Sequence, residues 1–274
     1  MKCLVVGYGS AGRRHKKGME ALGIEVSTVD INDDIDSDYK TLVHALENDW
    51  DFVIIATPPD NHLSDIALIA NNSDAKILCE KPLCGIGQYD DAVLLLDHLE
   101  SVDKKVMVAH NYRYHRALND LSDFVSKNVD IVKTANIEAV SSRKLPHWGM
   151  LLDNISHDID IIRDVMWEIY DIEEVAFFKG HDSTLWMVHG TSALGDFTIS
   201  DKVCNHDVDR SAVISGELVA DHNWQLSKYE VEIDADKEMF HTMLSSFVDG
   251  IVYPTFSDAL QTQYWLEEIY RMVK

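Results

Sequence analysis

Three glycines within six residues follow the first apolar run of the chain, and this spacing limits the possible folds more than any other feature. Cys3–Val6 is typical of a buried strand, Gly7-Tyr8-Gly9-Ser10-Ala11-Gly12 comes next, and Ala11–Leu22 has the period of a helix. Gly7 permits a tight turn, Gly9 lets a pyrophosphate approach the backbone, and Gly12 lets the helix pack on the strand. This order predicts a dinucleotide site; a glycine turn that serves packing alone is the alternative. The candidate cofactor residues of this loop are Gly7, Gly9, Ser10, Ala11 and Gly12.

An acidic residue stands where a dinucleotide site needs one. Asp30 follows the second predicted strand, Glu25–Val29, and lies 18 residues after Gly12. Its carboxylate is suited to accept hydrogen bonds from the adenosine ribose hydroxyls. The next residues, Asn32-Asp33-Asp34, add negative charge that would repel a 2′-phosphate. The sequence therefore predicts NAD as cofactor in preference to NADP.

The first part of the chain alternates short apolar runs with helical patterns, and Gly, Pro, Asn or Asp marks each change of period. Runs such as Phe52–Ala56 lack polar alternation, as expected for parallel strands covered on both faces. We predict a doubly wound Rossmann domain over residues 1–118. Its further predicted strands are Lys76–Cys79 and Val106–Ala109, and its further predicted helices are Lys40–Asn48, His62–Ala70 and Tyr89–Ser101.

The alternation of strand and helix patterns ends after about residue 120. A helix at Asn119–Lys127 and a helical stretch at Leu151–Met166 are predicted, followed by strands without intervening helices. Grouped strands indicate a mixed, mostly antiparallel sheet, so we predict an α+β domain over 119–274. The predicted strands are Glu174–Phe178, Thr184–His189, Asp196–Ser200, Ser211–Ser215 and Tyr229–Ile233, and the predicted closing helices are Lys237–Val248 and Asp258–Val273.

Charge and composition exclude several classes of function. The 274 residues carry 47 acidic and 24 basic side chains, a formal charge of −23, which disfavours nucleic acid and anionic membranes as partners. No segment reaches the ~18 apolar residues that a membrane span requires. Four irregularly spaced cysteines indicate reduced thiols and a cytoplasmic protein, and no Cys-x-x-Cys or His-Glu-x-x-His spacing indicates a metal site.

Further motifs, in a fixed order after the glycine loop, resemble one enzyme family. They are Ala56-Thr57-Pro58-Pro59-Asp60-Asn61-His62, Cys79-Glu80-Lys81-Pro82-Leu83, Asn111-Tyr112-Arg113-Tyr114-His115, and Asp153-x-x-x-His157-x-x-Asp160. Together they look like the glucose–fructose oxidoreductase / inositol dehydrogenase (Gfo/Idh/MocA) family. The resemblance implies cofactor contacts at Thr57, Pro58, His62, Glu80 and Lys81, a rigid turn at Pro82, and a homo-oligomer, dimeric or tetrameric.

By that resemblance Lys81, His157 and Asp153 form the catalytic group. Residues i and i+4 share one face of a helix, so Asp153 can orient His157. Hydride leaves a secondary alcohol readily only when its hydroxyl proton passes to a base, a role that suits His157, while Lys81 polarises the oxygen. The alternatives are a solvated lysine and a surface Asp–His pair, although the apolar neighbours of His157 favour a buried helix.

These features predict an NAD-dependent oxidoreductase that transfers hydride between nicotinamide and a carbinol of a sugar, cyclitol or nucleotide sugar. An anionic sugar would need a local basic cluster, for which Arg113, Arg116, Arg143 and Lys144 are candidates. Asp160 is the remaining candidate for substrate binding. Two alternatives stay open: glycosidic cleavage through transient oxidation by tightly held NAD, and a non-catalytic NAD-binding sensor or assembly protein.

Overall fold

The computed structural model describes residues 1–99, 102–129, 132–141, 154–180, 183–204, 211–218, 227–234 and 237–274. The chain divides into two compact units. The first comprises Met1–His110 together with His241–Gln263, and the second comprises Asn111–Phe240 together with Tyr264–Lys274. We describe each unit by itself.

The first unit is built on a parallel sheet. Its strands are β1 (Lys2–Val6), β2 (Glu25–Val29), β3 (Phe52–Ile55), β4 (Lys76–Cys79) and β5 (Val106–Val108), in the order β2-β1-β3-β4-β5. All four residues of β3 are buried, as are Cys3–Val6 of β1, because helices cover both faces of the sheet. The helices are α1 (Ser10–Ala21), α2 (Leu42–Ala45), α3 (His62–Asn72), α4 (Tyr89–His98) and α5 (Val102–Lys105).

A distant segment of the chain returns to this unit. Helix α8 (Lys237–Val248) packs the Phe247 ring on Phe52, with ring centroids 5.3 Å apart. The Val108 N–H donates to the Pro254 carbonyl at 3.0 Å, and Thr255 forms a β-bridge with Met107. The predicted domains, 1–118 and 119–274, are continuous in sequence, whereas this unit is not, because residues 241–263 complete its core.

The second unit is built on a mixed sheet. Its strands are β6 (Thr134–Ser141), β7 (Ile169–Lys179), β8 (Ser183–Ser192), β9 (Gly195–Cys204), β10 (Ser211–Leu218) and β11 (Ser227–Asp234). Their order is β11-β10-β6-β9-β8-β7, in which β6 and β9 are parallel and the other neighbours antiparallel. Helix α6 (Arg116–Lys127) contacts β11 and α7 (Ser156–Val165). The closing helix, α9 (Phe256–Val273), belongs to the first unit up to Gln263 and to the second unit from Tyr264.

The predicted fold class is confirmed: a parallel Rossmann-type sheet is combined with a mixed, mostly antiparallel second sheet. Cys3, Cys79 and Cys84 are buried and take part in no disulfide. Among the described residues, no helix combines the length and the apolar character that crossing a bilayer demands.

Candidate functional site

The glycine loop has the geometry that its spacing predicts. Gly7 has a φ of +86°, and a Cβ there would lie 2.6 Å from the Ala56 carbonyl oxygen. A Cβ on Gly12 would collide with the Gly7 carbonyl oxygen and lie 3.3 Å from the Val5 Cγ1 atom. The protein itself therefore requires glycine at both positions, one for the backbone turn and one for close packing of α1 on β1.

Gly9 differs from the other two glycines. Apart from its chain neighbours, no heavy atom of the described residues lies within 4 Å of a Cβ built on Gly9. Gly9 is the N-cap of α1, and the first amide groups of a helix have no partner within the helix. An open backbone beside free helical amides is a cradle that fits a pyrophosphate, and an added side chain would fill it.

Asp30 ties the glycine loop to the segment after β2. Its Oδ2 atom accepts a hydrogen bond from the Tyr8 N–H at 2.7 Å, and its Oδ1 atom accepts one from the Asn32 N–H at 2.9 Å. Each carboxylate oxygen keeps a further lone pair, so the side chain can also accept from a ribose hydroxyl. These backbone contacts orient Asp30 before any ligand binds.

A cavity of about 360 Å³ shares Tyr8 with the glycine loop. Its charged lining consists of Arg13 and Lys16 from α1 and of Asp36 and Asp38 from the segment after β2. The Arg13 guanidinium lies 5.2 Å from the centroid of the Tyr8 ring, and Asp38 accepts hydrogen bonds from the backbone and hydroxyl of Thr28. Two carboxylates thus offset the two cations, so this cavity offers an added phosphate little net attraction.

The segment after β3 is bound to its surroundings through Thr57 and His62. The Thr57 hydroxyl donates to Asp65 at 2.7 Å, and the buried His62 ring lies 2.9 Å from both the Pro82 and the Thr57 carbonyl oxygens. Burial raises the pKa of Asp65, although the Thr57 hydrogen bond and the His62 charge oppose this. The side chains of Thr57 and His62 contact protein groups, and the predicted cofactor contacts of Thr57, Pro58 and His62 stay predictions.

Glu80 and Lys81 form the turn that follows β4, and the Lys81–Pro82 peptide bond is cis. The Glu80 Oε1 atom accepts from the His15 Nε2 atom at 2.7 Å and from the Arg14 Nη2 atom at 3.2 Å. Burial raises the pKa of Glu80, but the hydrogen bond and charge of His15, with Arg14 and Lys81, outweigh burial and lower that pKa from 4.5 to about 2. Glu80 is therefore a carboxylate directed at α1.

His157 belongs to the second unit and lies on α7, where Ser156 to Ile162 are all buried. Its side chain packs edge-on against the Tyr112 ring, with centroids 4.9 Å apart and an interplanar angle of 77°. The alternative of a surface pair is wrong for His157, since it is only 9% exposed. Asp153 lies outside the described residues. Because Lys81 belongs to the other unit, their convergence on one carbinol stays a prediction.

Arg113 and Asp160, both predicted to bind substrate, bind each other. The Arg113 Nε and Nη2 atoms donate to the two Asp160 oxygens at 2.8 and 2.9 Å, and its Nη1 atom donates to Asp164 at 2.6 Å. Burial raises the pKa of Asp164, and the opposing charge of Arg113 does not fully offset it. These contacts favour a role in holding α7, so the predicted substrate contacts stay predictions. Of the other basic candidates, Arg116 is exposed at the start of α6, and Arg143 and Lys144 lie outside the described residues.

The contacts of Glu80 with His15 and of His157 with Tyr112 were not predicted from the sequence. Gly12, His15 and Met19 form the buried face of α1, so a histidine stands in an otherwise apolar helical stripe. A buried imidazole needs a polar partner, which is the available signal, but the pattern does not identify Glu80 as that partner. Tyr112 beside His157 carries no comparable signal.

Comparison with known proteins supports the predicted resemblance. Residues 19–110 match the model of the GFO_IDH_MocA oxidoreductase family, described as an NAD-binding Rossmann fold. The matched range contains Asp30, Glu80 and Lys81 and begins after the glycine loop. No curated protein matches the sequence.

Solved structures share the fold of the whole chain. A myo-inositol dehydrogenase from Corynebacterium glutamicum is 15% identical, with a TM-score of 0.78, covering 99% of this chain and 96% of that one. One from Lactobacillus casei, in complex with NAD(H) and myo-inositol, is 16% identical, with a TM-score of 0.78 and coverages of 100% and 94%. A UDP-N-acetylglucosamine 3-dehydrogenase from Acidithiobacillus ferrooxidans is 16% identical, with a TM-score of 0.76 and coverages of 99% and 97%.

These alignments span nearly the full length of the compared chains. The glycine loop, Asp30 and the Glu80-Lys81-Pro82 turn lie in one Rossmann unit, in the order that the motifs predicted. Residues 19–110 match the NAD-binding Rossmann fold of the Gfo/Idh/MocA oxidoreductases, the family that the motifs resemble, and the chain as a whole has the fold of these dehydrogenases.

Proposed function

We propose that the protein is an NAD-dependent oxidoreductase that transfers hydride between nicotinamide and a secondary alcohol of a sugar, cyclitol or nucleotide sugar. The observation that carries the proposal is the open backbone at Gly9, beside the first amides of α1 and within a loop that Asp30 orients. The match of residues 19–110 to an NAD-binding oxidoreductase family supports the same conclusion.

Different groups of the chain would hold the pyrophosphate and the adenosine ribose of NAD. The backbone of Gly9, Ser10 and Ala11 would hold the pyrophosphate at the start of α1, and Asp30 would accept from the adenosine ribose. In the neighbouring cavity Asp36 and Asp38 offset the charges of Arg13 and Lys16, so an additional 2′-phosphate gains little there, which supports NAD over NADP. When bound, NAD supplies the hydride acceptor at its nicotinamide.

Lys81 and His157 would then perform the proton chemistry at the alcohol. His157 accepts the hydroxyl proton as the carbon–hydrogen bond breaks, and the Lys81 ammonium donates a hydrogen bond to the same oxygen. By the i, i+4 spacing that the sequence predicts, Asp153 would orient the imidazole. In the reverse direction hydride adds to the carbonyl carbon, and His157 returns its proton to the carbonyl oxygen.

The proposed substrate class is supported by the names of compared structures, which include a myo-inositol dehydrogenase and a UDP-N-acetylglucosamine 3-dehydrogenase. Myo-inositol and the sugar of UDP-N-acetylglucosamine both have a ring that bears more than one secondary hydroxyl. We infer a polyhydroxylated ring as substrate, with the individual compound to be found by experiment. The predicted dimer or tetramer and the predicted cytoplasmic location stay predictions.

The test is a screen of sugars, sugar acids, cyclitols and nucleotide sugars for NAD-dependent appearance of NADH absorbance. At least one polyol should give a rate, and Lys81→Ala should abolish most of it. Lys17→Ala, which changes an exposed lysine of α1, is the matched control and should keep the wild-type rate. NAD binding by calorimetry without turnover of any compound would support the sensor alternative and contradict the proposal.

A further inference from the structure

A buried carboxylate lies between the two elements that the proposed chemistry uses. Glu80 directly precedes Lys81, and its Oε1 atom accepts hydrogen bonds from His15 and Arg14, which lie on α1 one turn beyond the N-terminal amides. Its Oε2 atom accepts a longer bond, 3.3 Å, from the Lys81 backbone N–H. Glu80 thus contacts the phosphate-binding helix through one oxygen and the lysine turn through the other.

The contacts of Glu80, a buried hydrogen bond with His15 and an ion pair with Arg14, indicate a specific arrangement and not incidental packing. The His15 side chain is fully buried, and only 11% of the Glu80 side chain is exposed. A carboxylate in such surroundings is stable only when donors satisfy it, because burial alone strongly disfavours its charge. Removing the charge or the donors should therefore alter local geometry more than a surface change on the same helix would.

The Glu80-Lys81-Pro82 turn also makes a hydrogen bond after Lys81, through Pro82. The Pro82 carbonyl oxygen lies 2.9 Å from the His62 Nδ1 atom, and His62 also contacts the Thr57 carbonyl at the end of β3. Hydrogen bonds at Glu80 and at the Pro82 carbonyl thus flank Lys81. Those at Glu80 join it to α1, the helix that would bind the pyrophosphate.

We propose that Glu80, together with His15 and Arg14, is a positioning group that couples occupancy of the phosphate site at α1 to the placement of Lys81. This inference rests on the proposed function and assigns Glu80 a role other than the predicted direct contact with cofactor. A pyrophosphate that fixes the first turn of α1 also fixes His15 and Arg14 on the next turn. They hold Glu80, and Glu80 holds the backbone of Lys81.

Amide hydrogen exchange, with and without NAD, measures this coupling directly. In the wild-type protein NAD should slow exchange at the Lys81–Cys84 segment as well as at the first turn of α1. In Glu80→Gln and His15→Leu the protection at α1 should persist while the protection at Lys81–Cys84 is lost. His15→Gln keeps an amide donor and should restore part of it, and Glu20→Gln, an exposed change on α1, should behave as wild type.

Steady-state kinetics give a second readout. The Glu80→Gln protein should bind NAD within about fivefold of the wild-type affinity by calorimetry, yet its kcat should fall about 10²-fold because a small misplacement of a reacting group is costly. A variant that weakens NAD binding and kcat equally would indicate a direct cofactor contact and overturn the inference.

A milder substitution is available at Arg14. If Glu80→Gln misfolds, Arg14→Met removes one donor from a side chain that is 53% exposed and leaves His15 in place. Its NAD-dependent protection at Lys81–Cys84 should be reduced. Unchanged protection in folded Glu80→Gln or His15→Leu, with NAD bound, would refute the coupling, whereas absence of NAD binding in the wild-type protein would refute the proposed function itself.

Discussion

Gly9 is the position at which a single substitution best separates folding from cofactor binding. Gly9→Val places a branched side chain in space that no other described part of the protein fills, apart from the chain neighbours. The backbone there has a φ of −76° and a ψ of −154°, an extended conformation that valine tolerates. The folded protein should therefore accept the change, while a pyrophosphate in the same space could not.

The Gly9→Val change should affect the unfolding free energy and the NAD affinity by different amounts. Valine is a poorer N-cap than glycine, which should cost about 1 kcal/mol of unfolding free energy. Loss of two charge-assisted hydrogen bonds to the pyrophosphate, each about 1.5–3 kcal/mol, should weaken NAD binding by roughly 10²–10⁴-fold. Gly9→Ala should give an intermediate loss, because its single methyl group fills less of the cradle.

The assay combines titration calorimetry with NAD and thermal unfolding followed by circular dichroism. Gly12→Ala is the informative comparison, because its Cβ would collide with the Gly7 carbonyl oxygen and should destabilise the fold itself. Unchanged NAD affinity in a folded Gly9→Val protein would show that the phosphate site lies elsewhere.

The remaining predictions concern three charged residues. Wild-type protein should bind NAD at least about tenfold more tightly than NADP, and Asp30→Ala should relax this preference; equal affinities of the wild type for both cofactors, by calorimetry, would contradict it. Because the folded-state pKa of Glu80 is lowered from 4.5 to about 2, its charge should add about 3 kcal/mol of stability above pH 4.5 that is lost as the pH falls towards 2. The difference in urea-unfolding free energy between wild type and Glu80→Gln should shrink over that range, and a constant difference would disprove this. Arg113→Met should destabilise the second unit by about 3 kcal/mol, since Asp160 and Asp164 lose their principal partner, whereas Arg116→Met should stay within about 0.5 kcal/mol. A raised KM with unchanged unfolding of Arg113→Met would instead support a substrate contact.

Buried parallel strands are the elements that the sequence predicts best. Phe52–Ala56 was expected and Phe52–Ile55 is observed, and Lys76–Cys79 agrees at both ends. Such strands are uninterrupted apolar runs, so their limits coincide with a change of residue type. Strand β7 is much longer than the predicted Glu174–Phe178, since its register shifts near Asp171 and Glu174 break the polar alternation.

Short helices, and segments that pack in a unit formed mainly by a distant part of the chain, are harder to predict. Helix α2 was expected over Lys40–Asn48 but covers only Leu42–Ala45, because the residues after it adopt a turn that exposes polar side chains. The return of residues 241–263 to the first unit depends on contacts such as Phe247 with Phe52, which no local period records.

The candidate site shows the same difference between requirements set by nearby residues and contacts between distant ones. Gly7, Gly9, Gly12 and Asp30 are predictable because one short turn imposes each requirement on the chain nearby. The pairs His15–Glu80 and Arg113–Asp160 join residues 65 and 47 positions apart, so their partners depend on the packed fold. A charged residue at a predicted site can thus be located from the sequence while its actual partner is not.

Single-turnover hydride transfer, once a substrate is identified, tests the central claim most directly. Lys81→Ala and His157→Ala should each slow the chemical step by about 10²–10⁴-fold while leaving NAD affinity nearly unchanged, because neither residue is predicted to contact the adenosine half of NAD. The double variant should lose less than the product of the two single losses, since the two groups share one proton-transfer step. Lys17→Ala and His98→Ala, at exposed positions, serve as controls. Wild-type rates in Lys81→Ala and His157→Ala would contradict the proposed active site.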